Sequence, residues 1–212
     1  DPCPELDERA GVWTFAASQL NQTAADGERF VRGGRNLNAL AIDPETNKLF
    51  GAQNGRDQLY ENWPELFTEA EDQLLPNETV YALDEGDDYG WPYCYFDAAM
   101  DANVLAPEYG GDGTEVGRCA SAEAPVAVYP AHWAPLGAVF YDGDNFPARY
   151  AGGLFLAHHG SRFAPEAPTD AVPGYSVTFQ PFAAGAATAE YEQFATGFAG
   201  DGRPLPNAAE HR

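Results

Sequence analysis

The amino-acid sequence predicts an all-β fold built from repeated four-stranded units. Two stretches about a hundred residues apart follow the same pattern, 37–44 with 49–55 and 136–143 with 154–160. In each, a short apolar run, a turn and a second apolar run lead into a polar loop closed by glycine. Short aliphatic and aromatic runs between Gly, Pro, Asp and Asn are typical of strands. A repeat on this scale predicts units that bury their apolar faces by stacking on one another.

Each unit continues into two more predicted strands. The first unit has predicted strands at 39–43, 49–53, 79–83 and 126–130, and the second at 138–142, 154–158, 175–179 and 191–196. The aromatic runs at 11–15 and 28–33 predict the outer strands of a preceding unit. Four-stranded units repeated around an axis are typical of a β-propeller. A two-sheet sandwich also uses many short strands, but it does not predict the internal repeat.

The repeat divides one propeller domain into segments. We assign 1–36 to the outer strands of a preceding blade, 37–132 to a blade with a glycine-rich insertion, 133–199 to the next blade and 200–212 to the entry of a further blade. This amounts to two complete blades and part of a third. Because a propeller needs about four to eight blades, we expect these residues to be a piece of a longer protein.

The composition and net charge of the chain limit the kinds of partner that it can bind. The chain has 212 residues, 44% of them hydrophobic, and a formal net charge of −22. Nucleic acids and anionic membrane surfaces bind basic patches, so we expect neither as a partner. No apolar run is long enough to span a bilayer, which predicts no membrane insertion. Ten arginines accompany a single lysine, Lys48, and such an acidic surface is compatible with a secreted protein or with adaptation to salt.

The cysteines indicate the compartment. Cys94 and Cys119 bracket a glycine-rich insertion at 106–117, and a disulfide between them would close this loop at its base. We therefore predict a Cys94–Cys119 disulfide with Cys3 unpaired, and a periplasmic or extracellular location. The alternative is three reduced thiols. The spacing of the cysteines and histidines does not suit a tetrahedral zinc site.

Polar residues recur in the loops at one end of the predicted inner strands. They are Arg35 and Asn36, then Asn54, Gly55, Arg56 and Asp57 in the first unit, His132, Trp133, His158 and His159 in the second, and His211 and Arg212 where a third would open. Equivalent loops of a propeller face one axis, so we expect Arg35, Asn54, Trp133, His159 and Arg212 to line one pocket. Taken singly, Arg35 is also consistent with a strand cap and His132 with a buried core histidine.

The residue types suggest the ligand. Arginine offers a rigid fork of donors that suits an anionic or quinonoid ligand. Backbone carbonyls around Gly55, with Asn54 or Asp57 adding side-chain oxygen, suit a hard cation such as Ca²⁺. Neither a glycine-rich nucleotide loop nor a serine nucleophile elbow is present in the sequence.

Several motifs resemble those of a known family. The motifs are Arg35-Asn36 with the following 39–44 run, the loop 53–57, Asp88-Tyr89-Gly90-Trp91-Pro92, and the runs 134–137 and 140–143. Together they resemble the soluble quinoprotein sugar dehydrogenases of the glucose/sorbosone dehydrogenase family, and the sorbosone-type branch most closely. The resemblance implies a six-bladed β-propeller that uses pyrroloquinoline quinone (PQQ) and Ca²⁺.

The resemblance also implies residue roles. Arg35, Asn36 and Asn54 match positions that contact PQQ, and the backbone carbonyls of Gly55 and Arg56, beside Asp57, match the Ca²⁺ site. We place Trp133, His159 and Arg212 with the cofactor-binding residues. Two departures stand out: His159 falls near a family lysine, and Glu210 replaces the first arginine of an Arg-x-Arg pair that ends at Arg212.

The implied activity is oxidation of an aldose or sorbosone, with hydride transfer to PQQ assisted by Ca²⁺ and onward transfer to an electron acceptor. The general-base histidine of the family falls upstream of Asp1, so we expect these 212 residues alone to be inactive. Two alternatives are a calcium-dependent propeller hydrolase, such as a lactonase, and a non-catalytic propeller that binds a sugar or a protein.

Overall fold

The structure is a computed structural model that describes residues 3–160 and 174–198. Its strands are β1 (Gly11–Thr14), β2 (Glu28–Arg32), β3 (Ala39–Ile42), β4 (Leu49–Gln53), β5 (Glu78–Leu83), β6 (Cys94–Asp97), β7 (Ala102–Leu105), β8 (Ala127–Tyr129), β9 (Pro135–Phe140), β10 (Leu154–His158), β11 (Ser176–Gln180), β12 (Phe182–Ala183), β13 (Ala186–Ala187) and β14 (Glu192–Ala195). Two short α-helices, α1 (Leu59–Asn62) and α2 (Glu69–Asp72), lie between β4 and β5. Neither these helices nor any other in the described ranges has the length and apolar character needed to cross a membrane.

Two four-stranded antiparallel sheets form the body of the structure. One has the order β3-β4-β5-β8 and the other β9-β10-β11-β14. These are the two sets of strands that the sequence predicts, in the predicted order. The largest difference in bounds is at β9, which begins at Pro135 and ends at Phe140 instead of covering 138–142. Phe140 pairs with Leu154, the first residue of β10.

The two sheets share one apolar core. Phe50 of β4 faces Phe140 of β9 with ring centroids 5.2 Å apart, and Phe182 closes the cluster at 5.4 Å from both rings. Leu154 and Leu156 reach the same core because alternate residues of β10 point to one face. Full burial of each such side chain stabilises the fold by about 1.5–3 kcal/mol. This packing brings β3 and β9 together.

The insertion between β5 and β8 is more ordered than its composition suggests. The sequence gives no indication of the β6–β7 hairpin, which pairs Cys94 with Leu105. The predicted Cys94–Cys119 disulfide is confirmed, with the Cα atoms 5.7 Å apart. Cys3 is not in a disulfide. The disulfide lies in a small apolar cluster that this segment shares with Leu6 of the N-terminal segment.

Candidate functional site

The Arg35 backbone is positioned by the turn that follows β2. Gly33 has a φ of +71°, and a Cβ added there would lie 2.2 Å from Asp88 Oδ1, so this position requires glycine. The close approach lets the Trp91 N–H donate to the Gly33 carbonyl at 2.8 Å. The Arg35 N–H donates to Gln53 Oε1 at 2.7 Å. The half-buried Arg35 side chain consequently lies beside Trp91, with its guanidinium carbon 5.5 Å from the ring centroid.

The Arg35 guanidinium is bound by two backbone carbonyls. One nitrogen, Nη1, donates to Gly55 O at 2.5 Å and to Asn54 O at 3.2 Å. We call these two oxygens the carbonyl pair. Burial lowers the pKa of Arg35, and the negative charges of Asp57 and Glu78 oppose that shift. Two oxygens that follow β4 therefore converge on a cation.

A buried carboxylate holds the loops of the two sheets together. Glu78 is 2% exposed, and its two oxygens accept the N–H groups of Gly55 at 2.7 Å and Ala134 at 3.0 Å. Burial raises the pKa of Glu78, while these two N–H groups act to lower it. One side chain thus fixes the orientation of the Gly55 peptide relative to the loop that leads into β9.

His132 reinforces the same loops. Its Nδ1 lies 2.9 Å from Asp57 Oδ1 and its Nε2 lies 2.7 Å from the Asp72 carbonyl. Burial alone would lower the pKa of His132, but both hydrogen bonds and the charges of Asp57 and Glu78 act in the other direction, and the pKa is raised. The imidazole is therefore a structural link between α2 and the loop after β4.

The loops of the second sheet meet those of the first at the same end. Asn54 Nδ2 donates to the Pro135 carbonyl at 2.9 Å. The His159 N–H donates to the Ala134 carbonyl at 2.9 Å. The ring of Trp133 packs against His158 between the sheets, with centroids 5.4 Å apart, so its backbone and not its ring lies at this loop.

A small cleft lies next to Arg35. It has a volume of about 10 Å³ and its lining includes Arg35, Gly55, Arg56, Trp91 and Tyr95. That volume suits about one water molecule. Arg56 Nη1 pairs with Glu108 at 2.7 Å, whereas Arg56 Nε and the Tyr95 hydroxyl are buried without a hydrogen-bond partner among the described residues. A polar ligand could satisfy these atoms, but one larger than water must lie on the open side of Arg35.

The predicted site residues divide into three groups. Arg35, Asn54, Gly55 and Arg56 lie together, and the Asn36 carbonyl accepts the Asn54 N–H at 3.2 Å. Asp57 belongs to the adjoining His132 contact, and the exposed His159 is joined to the site through backbone bonds. Arg212 lies outside the described residues.

Glu78, Trp91 and Tyr95 were not predicted to be site residues. Glu78 did carry a signal in the sequence, because it is a charged residue directly before the mostly apolar predicted strand 79–83. In the part of the chain that the structure covers, no group of three or more His, Cys, Asp or Glu side chains could hold a metal. A hard cation at this site would therefore draw on backbone carbonyl oxygens.

Comparison with solved structures identifies the fold. The Trichoderma reesei protein of Carbohydrate-Active Enzymes Family AA12, in its iodide structure, superposes with a TM-score of 0.68 at 18% identity, over 91% of this chain and 52% of that chain. The holo PQQ domain of pyranose dehydrogenase from Coprinopsis cinerea gives a TM-score of 0.68 at 21% identity, over 91% and 51% of the two chains. The predicted β-propeller architecture is confirmed, and this chain spans about half the length of these structures.

Sequence comparisons extend the similarity. A protein of Borreliella burgdorferi described as uncharacterized is 29% identical over 133 residues, which is 61% of this chain and 29% of that protein. The model of the TrAA12-like family matches residues 6–198. Since this match covers most of the sequence, the chain belongs to the TrAA12-like family.

Proposed function

We propose that the protein containing this chain is a PQQ-dependent sugar dehydrogenase that oxidises an aldose or sorbosone with the assistance of Ca²⁺. Membership of the TrAA12-like family supports the proposal, as does the similarity to a PQQ domain of pyranose dehydrogenase. A calcium structure of the Trichoderma reesei AA12 protein is also similar, with a TM-score of 0.62 at 20% identity. The observation that carries the proposal is the Arg35 guanidinium, held between an aromatic ring and two carbonyl oxygens.

The residues around Arg35 fit a planar, anionic quinone. The guanidinium can bind a carboxylate or a quinone oxygen through charge-assisted hydrogen bonds. Trp91 adds a flat apolar surface beside it. The quinone would lie on the open side, since the cleft of about 10 Å³ is too small to enclose it. When bound, PQQ supplies the acceptor for the hydride of the sugar.

The residues after β4 fit a calcium ion. Calcium prefers carbonyl and carboxylate oxygens, and the carbonyl pair already converges on a cationic group. The buried Glu78 adds negative charge behind the Gly55 peptide. The Asp57 side chain contributes charge from its contact with His132. We therefore assign the ion to the Asn54–Gly55 side of the loop, with the Arg56 carbonyl as a candidate third oxygen.

The partners would be a small sugar and an electron acceptor. We assign the protein to the periplasm or the extracellular space, because the Cys94–Cys119 disulfide is of a kind that persists in oxidising compartments.

The test is a titration of the full-length protein with PQQ, with and without Ca²⁺, followed by absorbance. Dye reduction with glucose and with sorbosone is measured in parallel. Arg35→Ala should weaken PQQ binding by about 1.5–3 kcal/mol, the contribution of a hydrogen bond to a charged group. Arg32→Ala is the matched control, because Arg32 pairs with Asp88 on the surface and should have little effect.

Each other outcome rejects the dehydrogenase proposal. Calcium-dependent hydrolysis of a lactone without PQQ would identify a hydrolase. Sugar binding without PQQ binding would identify a non-catalytic module. Sugar oxidation in the absence of PQQ would show that the reaction does not use this cofactor.

A further inference from the structure

We propose that the Arg35 guanidinium and a divalent cation are alternative occupants of the carbonyl pair, so that Arg35 must leave Asn54 O and Gly55 O before a metal ion can bind them. This inference rests on the proposed function, because it concerns the ion assigned to that site. It adds a competition between a residue of this chain and the metal.

The distances make the two occupants mutually exclusive. Arg35 Nη1 lies 2.5 Å from Gly55 O and 3.2 Å from Asn54 O. A calcium ion binds oxygen at about 2.3–2.6 Å, so an ion that bridged both oxygens would take the place of this nitrogen. Two positive charges at one pair of oxygens would also repel each other strongly in a half-buried site. The carbonyl pair can therefore bind one of the two cations at a time.

Asn54 of the carbonyl pair is held in place whichever cation occupies the site. The Gly55 N–H donates to Glu78 at 2.7 Å, which fixes the Asn54–Gly55 peptide that carries Asn54 O. The Asn54 N–H donates to the Asn36 carbonyl at 3.2 Å, and the Asn54 side chain donates to Pro135 O at 2.9 Å. These bonds keep Asn54 O in position when Arg35 departs. Arg35 is the mobile partner in the exchange.

Arg35 already contacts a second group that can keep binding it after it leaves the two carbonyls. The Trp91 ring lies 5.5 Å from the guanidinium carbon, and an aromatic face attracts a cation. The open side of Trp91 is also where we place the quinone. A quinone that binds Arg35 there would free the carbonyl pair for the ion. Quinone and cation should therefore bind with positive coupling, each raising the affinity of the other.

The proposal gives opposite signs for two effects of one substitution. Removing the Arg35 side chain should weaken quinone binding, because a donor is lost. It should tighten cation binding, because the competitor is lost. A residue that merely stabilised the loop would weaken both.

The experiment measures terbium binding to the full-length protein without quinone. Tb³⁺ replaces Ca²⁺ at oxygen sites, its luminescence is sensitised by nearby tryptophan, and added Ca²⁺ displaces it. We expect Arg35→Gln to tighten Tb³⁺ binding by at least about tenfold, the lower range for a hydrogen bond to a charged group. Calorimetric titration with Ca²⁺ should rank the variants in the same order, because it does not depend on energy transfer from tryptophan.

Two control variants separate competition from a general loss of positive charge. Arg149→Gln removes the guanidinium bound to Glu192, and Arg32→Gln removes the one bound to Asp88. Arg35 still occupies the carbonyl pair in both variants, so each should change the affinity for Tb³⁺ by less than about threefold. Equal or weaker Tb³⁺ binding in Arg35→Gln would overturn the proposal, as would equal tightening in Arg149→Gln. Thermal unfolding checks that each variant is folded. Arg35→Ala is a second substitution at this position, used in case Arg35→Gln does not fold.

The outcomes also separate this inference from the proposed function. If PQQ fails to bind while Arg35→Gln tightens Tb³⁺ binding, the dehydrogenase proposal fails and the competition stands. If PQQ binds normally while Arg35→Gln leaves Tb³⁺ binding unchanged, the competition fails and the dehydrogenase proposal stands.

Discussion

His158 should make the stability of this fold depend on pH. Its side chain lies in the core between the two sheets, 5% exposed, with Nε2 2.9 Å from Thr178 Oγ1. Its Nδ1 is buried without a partner among the described residues, and the rings of Tyr129 and Trp133 flank the imidazole. A proton on Nδ1 would place an unpaired charge in this core. Burial accordingly lowers the pKa of His158 from 6.5 to about 4.

The sign and size of the effect follow from linkage. Between pH 4 and 6.5 the unfolded chain binds a proton at His158 that the folded chain does not. Stability therefore rises with pH through this window and falls on acidification. The difference between 6.5 and about 4, at about 1.36 kcal/mol per pH unit, corresponds to about 3 kcal/mol. The contribution is complete above pH 6.5 and lost near pH 4.

The perturbation is His158→Gln, which keeps a polar group near Thr178 but does not titrate. Urea unfolding followed by tryptophan fluorescence gives the free energy of unfolding at pH 7 and pH 4. Between pH 7 and pH 4, the free energy of unfolding should fall by about 3 kcal/mol less in the variant than in the wild type. His159→Gln is the matched control, because the neighbouring side chain is exposed and its removal should leave the acid sensitivity unchanged. The reasoning is refuted if His158→Gln is as acid-sensitive as wild type.

Three further changes have expected outcomes. Glu78→Gln should lower the free energy of unfolding by about 1–3 kcal/mol, because the new NH₂ group would face the N–H of Gly55 or Ala134, and two donors cannot pair. An unchanged melting temperature would show that the two hydrogen bonds of Glu78 do not stabilise the fold. Replacing both Cys94 and Cys119 with serine should lower the free energy of unfolding by about 3 kcal/mol, because their disulfide joins residues separated by 25 positions. Urea unfolding measures this free energy, and an unchanged value would contradict the expectation. Asn54→Ala should lower stability by about 0.5–1.5 kcal/mol, through loss of the bond to Pro135 O, and unaltered urea unfolding would contradict that.

The repeat made the sheets predictable. Alternating apolar residues are a local signal, and the pairing of β3 with β4 and of β9 with β10 joins strands that are consecutive in the chain. The disulfide was predictable for a similar reason, because two cysteines bracket one insertion. The β6–β7 hairpin was missed because it lies just before the glycine-rich insertion, where no repeated pattern reveals it, and its Tyr95 packs against the distant residues Leu59 and Phe67.

The sequence predicted which loops form the candidate site, but not which groups their side chains contact. The repeat phase places Arg35 and Asn54 in loops at one end of the strands, and the structure brings them together there. The partners of each side chain depend on how the sheets pack. Trp133 illustrates the limit, since its loop lies where predicted while its ring packs between the sheets against His158.

By itself, the sequence determined the strands of the two four-stranded sheets, their grouping into units, the disulfide and the family of the chain, because each depends on residues near one another or on a repeated pattern. Tertiary structure alone decided that Glu78 joins Gly55 to Ala134, that Asn54 donates to Pro135, and that Arg35 occupies the carbonyl pair. The physical reason is that a buried polar group must find a partner wherever the packing provides one. That partner is set by the meeting of two sheets, which no local pattern encodes.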